Sequence, residues 1–157
     1  MKQWKSIVCL LLTVCWMGFI FTMSAQPAAK STETSLHVGM MVGEILVPGF
    51  EKKPLPEQLA FARMIDHPVR KCAHASEYAV LGILTGLSAG SIGIRKQRWL
   101  KAFLAASVYA MTDEFHQLFI PGRSGQISDV LLDSAGALLG IIVLYGITRL
   151  NNLRNQG

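Results

Sequence analysis

Charged side chains are scarce in this chain. Asp, Glu, Lys and Arg make up 16% of its 157 residues, against ~25% in ordinary globular domains. That shortfall argues against a soluble domain with a wet surface, and a mean hydropathy of +0.37 points the same way. Acidic residues are missing altogether around Lys2 and Lys5, around Arg95, Lys96, Arg98 and Lys101, and around Arg149 and Arg154. The three cysteines (Cys9, Cys15 and Cys72) have no motif spacing, which supports neither a disulfide frame nor a zinc site. They read as small buried apolar residues. Aromatics are few, at 8%, and are not interleaved with the basic residues. The net charge of +5 therefore does not describe a nucleic-acid platform. No internal repeat, low-complexity tract, nucleophile elbow or phosphate loop is present.

What the chain has instead is long hydrophobic runs. Hydrophobic residues make up 51% of it, and they gather into four stretches, at about 6–25, 73–94, 99–120 and 127–148. Each is about 20 residues long, enough to cross ~30 Å as a helix. The three acid-free basic segments fall at the flanks of these runs, as cytoplasmic flanks do under the positive-inside rule. The expected fold is therefore all-α, a single polytopic membrane domain forming a four-helix transmembrane bundle. Both termini are cytoplasmic, and the loops 26–70 and 122–126 face outside. The first run competes with a signal peptide, since Lys2 and Lys5 form a basic n-region. It is longer than the ~7–15 residues of a typical h-region, so a retained anchor is the expectation.

Residues 26–70 read as a long mixed loop. It opens with the polar, turn-rich QPAAKSTETS and holds two short candidate helices, 36–47 and 56–65. In the first, Leu36, Met40, Gly43 and Val47 share a face. In the second, Pro56 suits a first helical position. The second run carries Gly82, Gly86 and Gly90 at about one per turn. The fourth has Gly136 and Gly140 four apart. Such rows let helices approach closely, here within the chain rather than between copies. On the third run Ala102, Ala105, Ala106, Tyr109 and Asp113 form a stripe. The loop 122–126 is so short that the third and fourth runs must be antiparallel neighbours.

Ionisable residues inside such runs are costly, at least ~2.5–3.5 kcal/mol near the centre of a span. Yet His74, Glu77 and Tyr78 lie in the first turns of the second run. Asp113, Glu114, His116 and Gln117 lie near the end of the third, and Asp129 and Asp133 begin the fourth. Lys71 and Arg123 sit at the rim. With ~1.5 Å of rise per residue, these groups come to similar depth near the outer face. They outline a polar pocket lined by the second to fourth spans, with the polar residues turned inward because lipid-facing charge is poorly tolerated.

RKCAHASEYAVLG followed by TDEFHQLFIPGRSGQISDVLLDSAGALLG resembles the VanZ-like family of small bacterial membrane proteins. Its pattern is Arg/Lys-Lys-x-x-His-x-x-x-Tyr, then Asp-Glu-x-x-Gln, then Arg, then two aspartates on the last span. The matching residues are Arg70, Lys71, His74, Tyr78, Asp113, Glu114, Gln117, Arg123, Asp129 and Asp133. The MSAQPAAKSTETS tract is similar to the family's Ser-Gln-Pro segment, and the likeness runs from about residue 24 to 140. The resemblance implies an association with glycopeptide (teicoplanin) resistance; it supplies no biochemical mechanism.

Three readings of the pocket stand open. It could bind a cell-envelope ligand: a membrane lipid headgroup, a lipid-linked cell-wall precursor or a glycopeptide, with Arg123 as the anion fork. It could be an enzyme site acting on a lipid-linked substrate, with His74 as base and Asp113 or Glu114 as acid. Or its ion pairs could lock three helices together. No cofactor is expected. A divalent ion bridging Asp113, Asp129 and Asp133 is the one metal site that the carboxylates suggest.

Overall fold

Unbroken apolar runs become helices here, and Pro and Gly set where they stop. The computed structural model describes residues 2–94 and 97–155. It contains α1 (Lys2–Ser24), α2 (Ala28–Leu46), α3 (Leu55–Ser91), α4 (Arg98–Gln117) and α5 (Ile127–Arg154), with a short 3-10 turn at Phe50–Lys52. Among the described residues the fold is all-helical, without strands. Pro27 and Pro54 are the N-cap residues of α2 and α3. Gly49 (φ 73°) and Gly122 (φ 74°) take the left-handed backbone that their turns require. Arg95 and Lys96, two of the four residues in the expected basic loop, lie outside the described residues.

The stretch 26–70 differs most from expectation. It is mostly helix rather than a mixed loop. The polar tract after Pro27 begins α2 eight residues before the candidate start at Leu36. The candidate 56–65 helix starts one residue early and runs without a break into the second apolar run. The result is a single 37-residue helix that continues through Pro68. Local polarity concealed this, because α2 is stabilised by packing rather than by propensity. Its buried stripe is Ser35, Gly39 and Gly43; of the expected face Gly43 is buried, whereas Leu36, Met40 and Val47 are half-buried. Gly39 meets the backbone of Ala62, Gly43 meets the Phe50 ring, and Ser35 donates to Asp66. α2 and α3 therefore form an antiparallel hairpin.

α3 is the hub and packs against α1, α2, α4 and α5. α1 runs antiparallel to it, with Ser6 at Ser91 (2.7 Å), Thr13 at Ser88 (2.9 Å) and the Trp16 indole donating to the Glu77 carbonyl (2.9 Å). α4 runs parallel to α1: the Tyr109 hydroxyl donates to the Met17 carbonyl at 2.6 Å. α3 and α5 run parallel, with Gly136 against Ala75 and Gly140 against Ala79. α4 and α5 are thus antiparallel, as the short loop between them requires. The glycine rows pack within the chain. On α4 the buried stripe is Ala102, Ala106, Ala110 and Asp113, whereas Ala105 is exposed.

Outside, the helices are apolar. Leu11, Val14, Leu104, Phe115, Leu139 and Ile142 are all exposed. That is far more apolar surface than a water-soluble monomer shows. Among the described residues two helical segments are long and apolar enough to cross a membrane, Gln3–Ser24 and Ile127–Arg154.

Candidate functional site

The last two turns of α4 carry the centre of the polar cluster. Asp113, Glu114 and Gln117 are all buried. Neighbours on a helix point about 100° apart, and here both directions are covered. Gln117 Nε2 bridges the two acids, donating to Glu114 Oε1 at 2.9 Å and to Asp113 Oδ2 at 3.5 Å. Ser24, the last residue of α1, donates to Asp113 Oδ2 at 2.7 Å. Glu114 Oε2 accepts the backbone N–H of Gln126 at 3.0 Å, and Gln126 is the residue on which α5 starts. One face of α4 therefore ties to α1 and the other to the start of α5.

Arg123 closes this end of the bundle. Its Nε donates to the Gln26 carbonyl at 3.2 Å, and its Nη2 to the Met23 carbonyl at 3.5 Å. Its Nη1 donates to Gln117 Oε1 at 3.5 Å. A guanidinium has five N–H donors, so two are left over and two of the three bonds are long. Burial lowers the Arg123 pKa from its ordinary value and Arg70 adds to this, while Asp113 and Glu114 oppose it. It remains a cation. Ala28 N–H donates to the Pro121 carbonyl at 3.2 Å, which brings the start of α2 and the loop after α4 to the same end.

Lys71 and Asp129 form an ion pair at 2.9 Å, with side chains 34% and 29% exposed. Arg70 pairs with Asp66 at 2.9 Å. Deeper in, Asp133 and Tyr78 are fully buried. Among the described residues neither Asp133 oxygen has a hydrogen-bond partner. The same is true of the Tyr78 hydroxyl, His74 Nδ1 and Asp113 Oδ1. Leaving such a group unpaired costs ~1–3 kcal/mol, and these atoms come from three helices, α3, α4 and α5.

A pocket of about 220 Å³ opens at this end. Arg70, Lys71, His74, Gln117, Arg123 and Asp129 line it, and Ala28 at the start of α2 completes its rim. The structure thus brings Lys71, His74, Gln117, Arg123 and Asp129 to one surface. Tyr78, Asp113, Glu114 and Asp133 are not on that lining; Asp113 and Glu114 hold Gln117, which is. Among the described residues no group of three or more His, Cys, Asp or Glu is gathered closely enough to hold a metal ion. Ser24 and the backbones of Met23, Gln26 and Gln126 are the contributors that the spacing of charges did not reveal, and Arg70 was marked only by the family pattern. The Ser-Gln-Pro tract was the one sequence signal at Ser24.

No curated protein and no solved structure matches this chain. The VanZ/LLP1 family model matches residues 9–149, which include every residue of the polar cluster. The apolar exterior, the two span-length helices and this match suggest a membrane protein. The chain belongs to the VanZ/LLP1 family.

Proposed function

We propose that this protein is a polytopic membrane protein whose polar pocket faces outward and binds an anionic group of the cell envelope: a lipid headgroup, a cell-wall precursor or a glycopeptide. In this reading α1, α3, α4 and α5 each cross the bilayer, and both termini are cytoplasmic. The acid-free flanks at Lys2 and Lys5, at Arg98 and Lys101, and at Arg149 and Arg154 support that orientation. Glycopeptide protection, of the kind the family resemblance implies, is the expected phenotype.

One observation carries the reading. Arg123 stands on the pocket wall with spare N–H donors, and its planar fork suits a phosphate or carboxylate. Arg70, Lys71 and His74 share that wall. Acid–base catalysis ranks below binding, because of His74, Asp113 and Glu114 only His74 lines the pocket. The helix-locking account has its own support in the bonds from Ser24 to Asp113 and from Gln126 to Glu114, which join α1, α4 and α5.

The test separates the two. Arg123→Ala and Asp113→Asn should each abolish glycopeptide protection in a bacterial host while the protein stays in the membrane at wild-type level. Loss of the protein itself in both variants would favour the lock.

A further inference from the structure

A second and larger cavity, about 560 Å³, lies in the cleft between α2 and α3 at the end of α1. That volume falls within the ~300–1,000 Å³ of small-molecule sites. Its walls are mostly apolar: Met23 of α1, Val38 and Val42 of α2, and Ile65, Val69 and Ala73 of α3. One part of the wall differs. Arg70, His74 and Arg123 line both this cavity and the polar pocket, and Glu77 is the one acid on the cavity side.

We infer that this cavity seats the acyl chain of a phosphate-bearing amphiphile from the outer leaflet, with the phosphate at Arg70 and Arg123. The inference rests on the anion-binding reading of the polar pocket and deepens it by naming the ligand class. An apolar cavity of this size gives water few of the two to four polar partners it needs, whereas methylenes regain contacts along every wall. Charge complementarity sets the direction in which the amphiphile lies. Arg70 is held by a single ion pair, to Asp66, and Arg123 has two unused N–H donors. Both present a cation where the apolar cleft meets the polar pocket. The α2–α3 hairpin exposes Met41, Ile45, Leu46, Leu55 and Met64, an apolar skin suited to the acyl–headgroup boundary.

Binding of inorganic phosphate and of hexyl, octyl and decyl phosphate to the full-length protein held in amphipol tests this by calorimetry. Wild-type affinity should rise roughly fourfold per added methylene. Val69→Trp and Val38→Trp fill the cleft from opposite walls. Each should weaken decyl phosphate ~tenfold or more and leave inorganic phosphate unchanged; if one fails to fold by circular dichroism, the other decides. Arg123→Gln should weaken the whole series. An affinity that does not rise with chain length, or that rises equally in the folded tryptophan variants, overturns the acyl-chain inference while leaving the anion pocket intact. If no phosphate binds, or if Arg123→Gln binds as wild type does, the pocket reading fails and takes this one with it.

Discussion

Substituting Gly136 with alanine should weaken the protein by forcing its two parallel helices apart. A Cβ there would lie 3.0 Å from the Ala75 carbonyl carbon and 3.0 Å from its Cα, and nearer still to the carbonyl oxygen. Carbon atoms rest at ~3.5–4.0 Å, and the obstacle is backbone, which cannot rotate away. α3 and α5 must therefore separate by ~0.5–1 Å. The Lys71–Asp129 pair, now 2.9 Å, joins the same two helices. It would stretch to ~3.4–3.9 Å, beyond the usual N–H···O range. Overpacking of this kind costs ~1–3 kcal/mol. Replacing glycine inside a helix also gains up to ~1 kcal/mol of propensity, so the wild type alone is a poor reference. Gly146, on the same helix, has nothing within 4 Å of a built Cβ. Gly146→Ala takes the propensity gain without the clash. The difference between the two variants isolates the contact and should be ~1–3 kcal/mol. Unfolding by dodecyl sulfate in mixed micelles, followed by tryptophan fluorescence, measures it. Equal stability of the two variants, within ~0.5 kcal/mol, would refute the close α3–α5 approach.

Three other tests follow from the geometry. A double-mutant cycle on Lys71→Ala and Asp129→Ala should give a coupling below ~1 kcal/mol, because a pair about one-third exposed is largely screened. A coupling of ~3 kcal/mol or more would make that pair a structural lock. Ser24→Ala removes the 2.7 Å bond to Asp113 and should destabilise the protein by ~1–3 kcal/mol, with Ser24→Thr restoring most of it in the same unfolding assay. A reporter fused after Arg154 should be active in the cytoplasm; an extracellular signal would overturn the proposed four crossings.

Much of the helical framework was legible in the apolar runs. Residues 2–24 and 127–154 form helices because nothing in them breaks one. The pairing of α4 with α5 followed from a connection too short to allow another neighbour. The glycine spacing marked close contacts, and Gly136 and Gly140 meet α3 as that spacing allows. The hairpin of α2 and α3 was not legible. AAKSTETS carries no helical apolar period, and the candidate 56–65 helix gave no sign that it runs on through Pro68 into the second apolar run. Hydropathy records what a segment would bury, not whether a neighbour is there to bury it.

The polar cluster divides along the same line. Sequence alone placed Lys71, His74, Tyr78, Asp113, Glu114, Gln117, Arg123, Asp129 and Asp133 near one end, because charge inside apolar runs is expensive wherever it falls and these runs alternate in direction. Only the tertiary structure decided which of them face a cavity and which support it. It set Lys71 on Asp129, Gln117 across both acids of α4, and Arg123 on the carbonyls of Met23 and Gln26. It also folded α2 back on α3 to enclose an apolar cleft beside the cationic wall. Period and composition fix depth along a helix axis. Rotation about that axis, and what stands opposite, are set by how the helices pack.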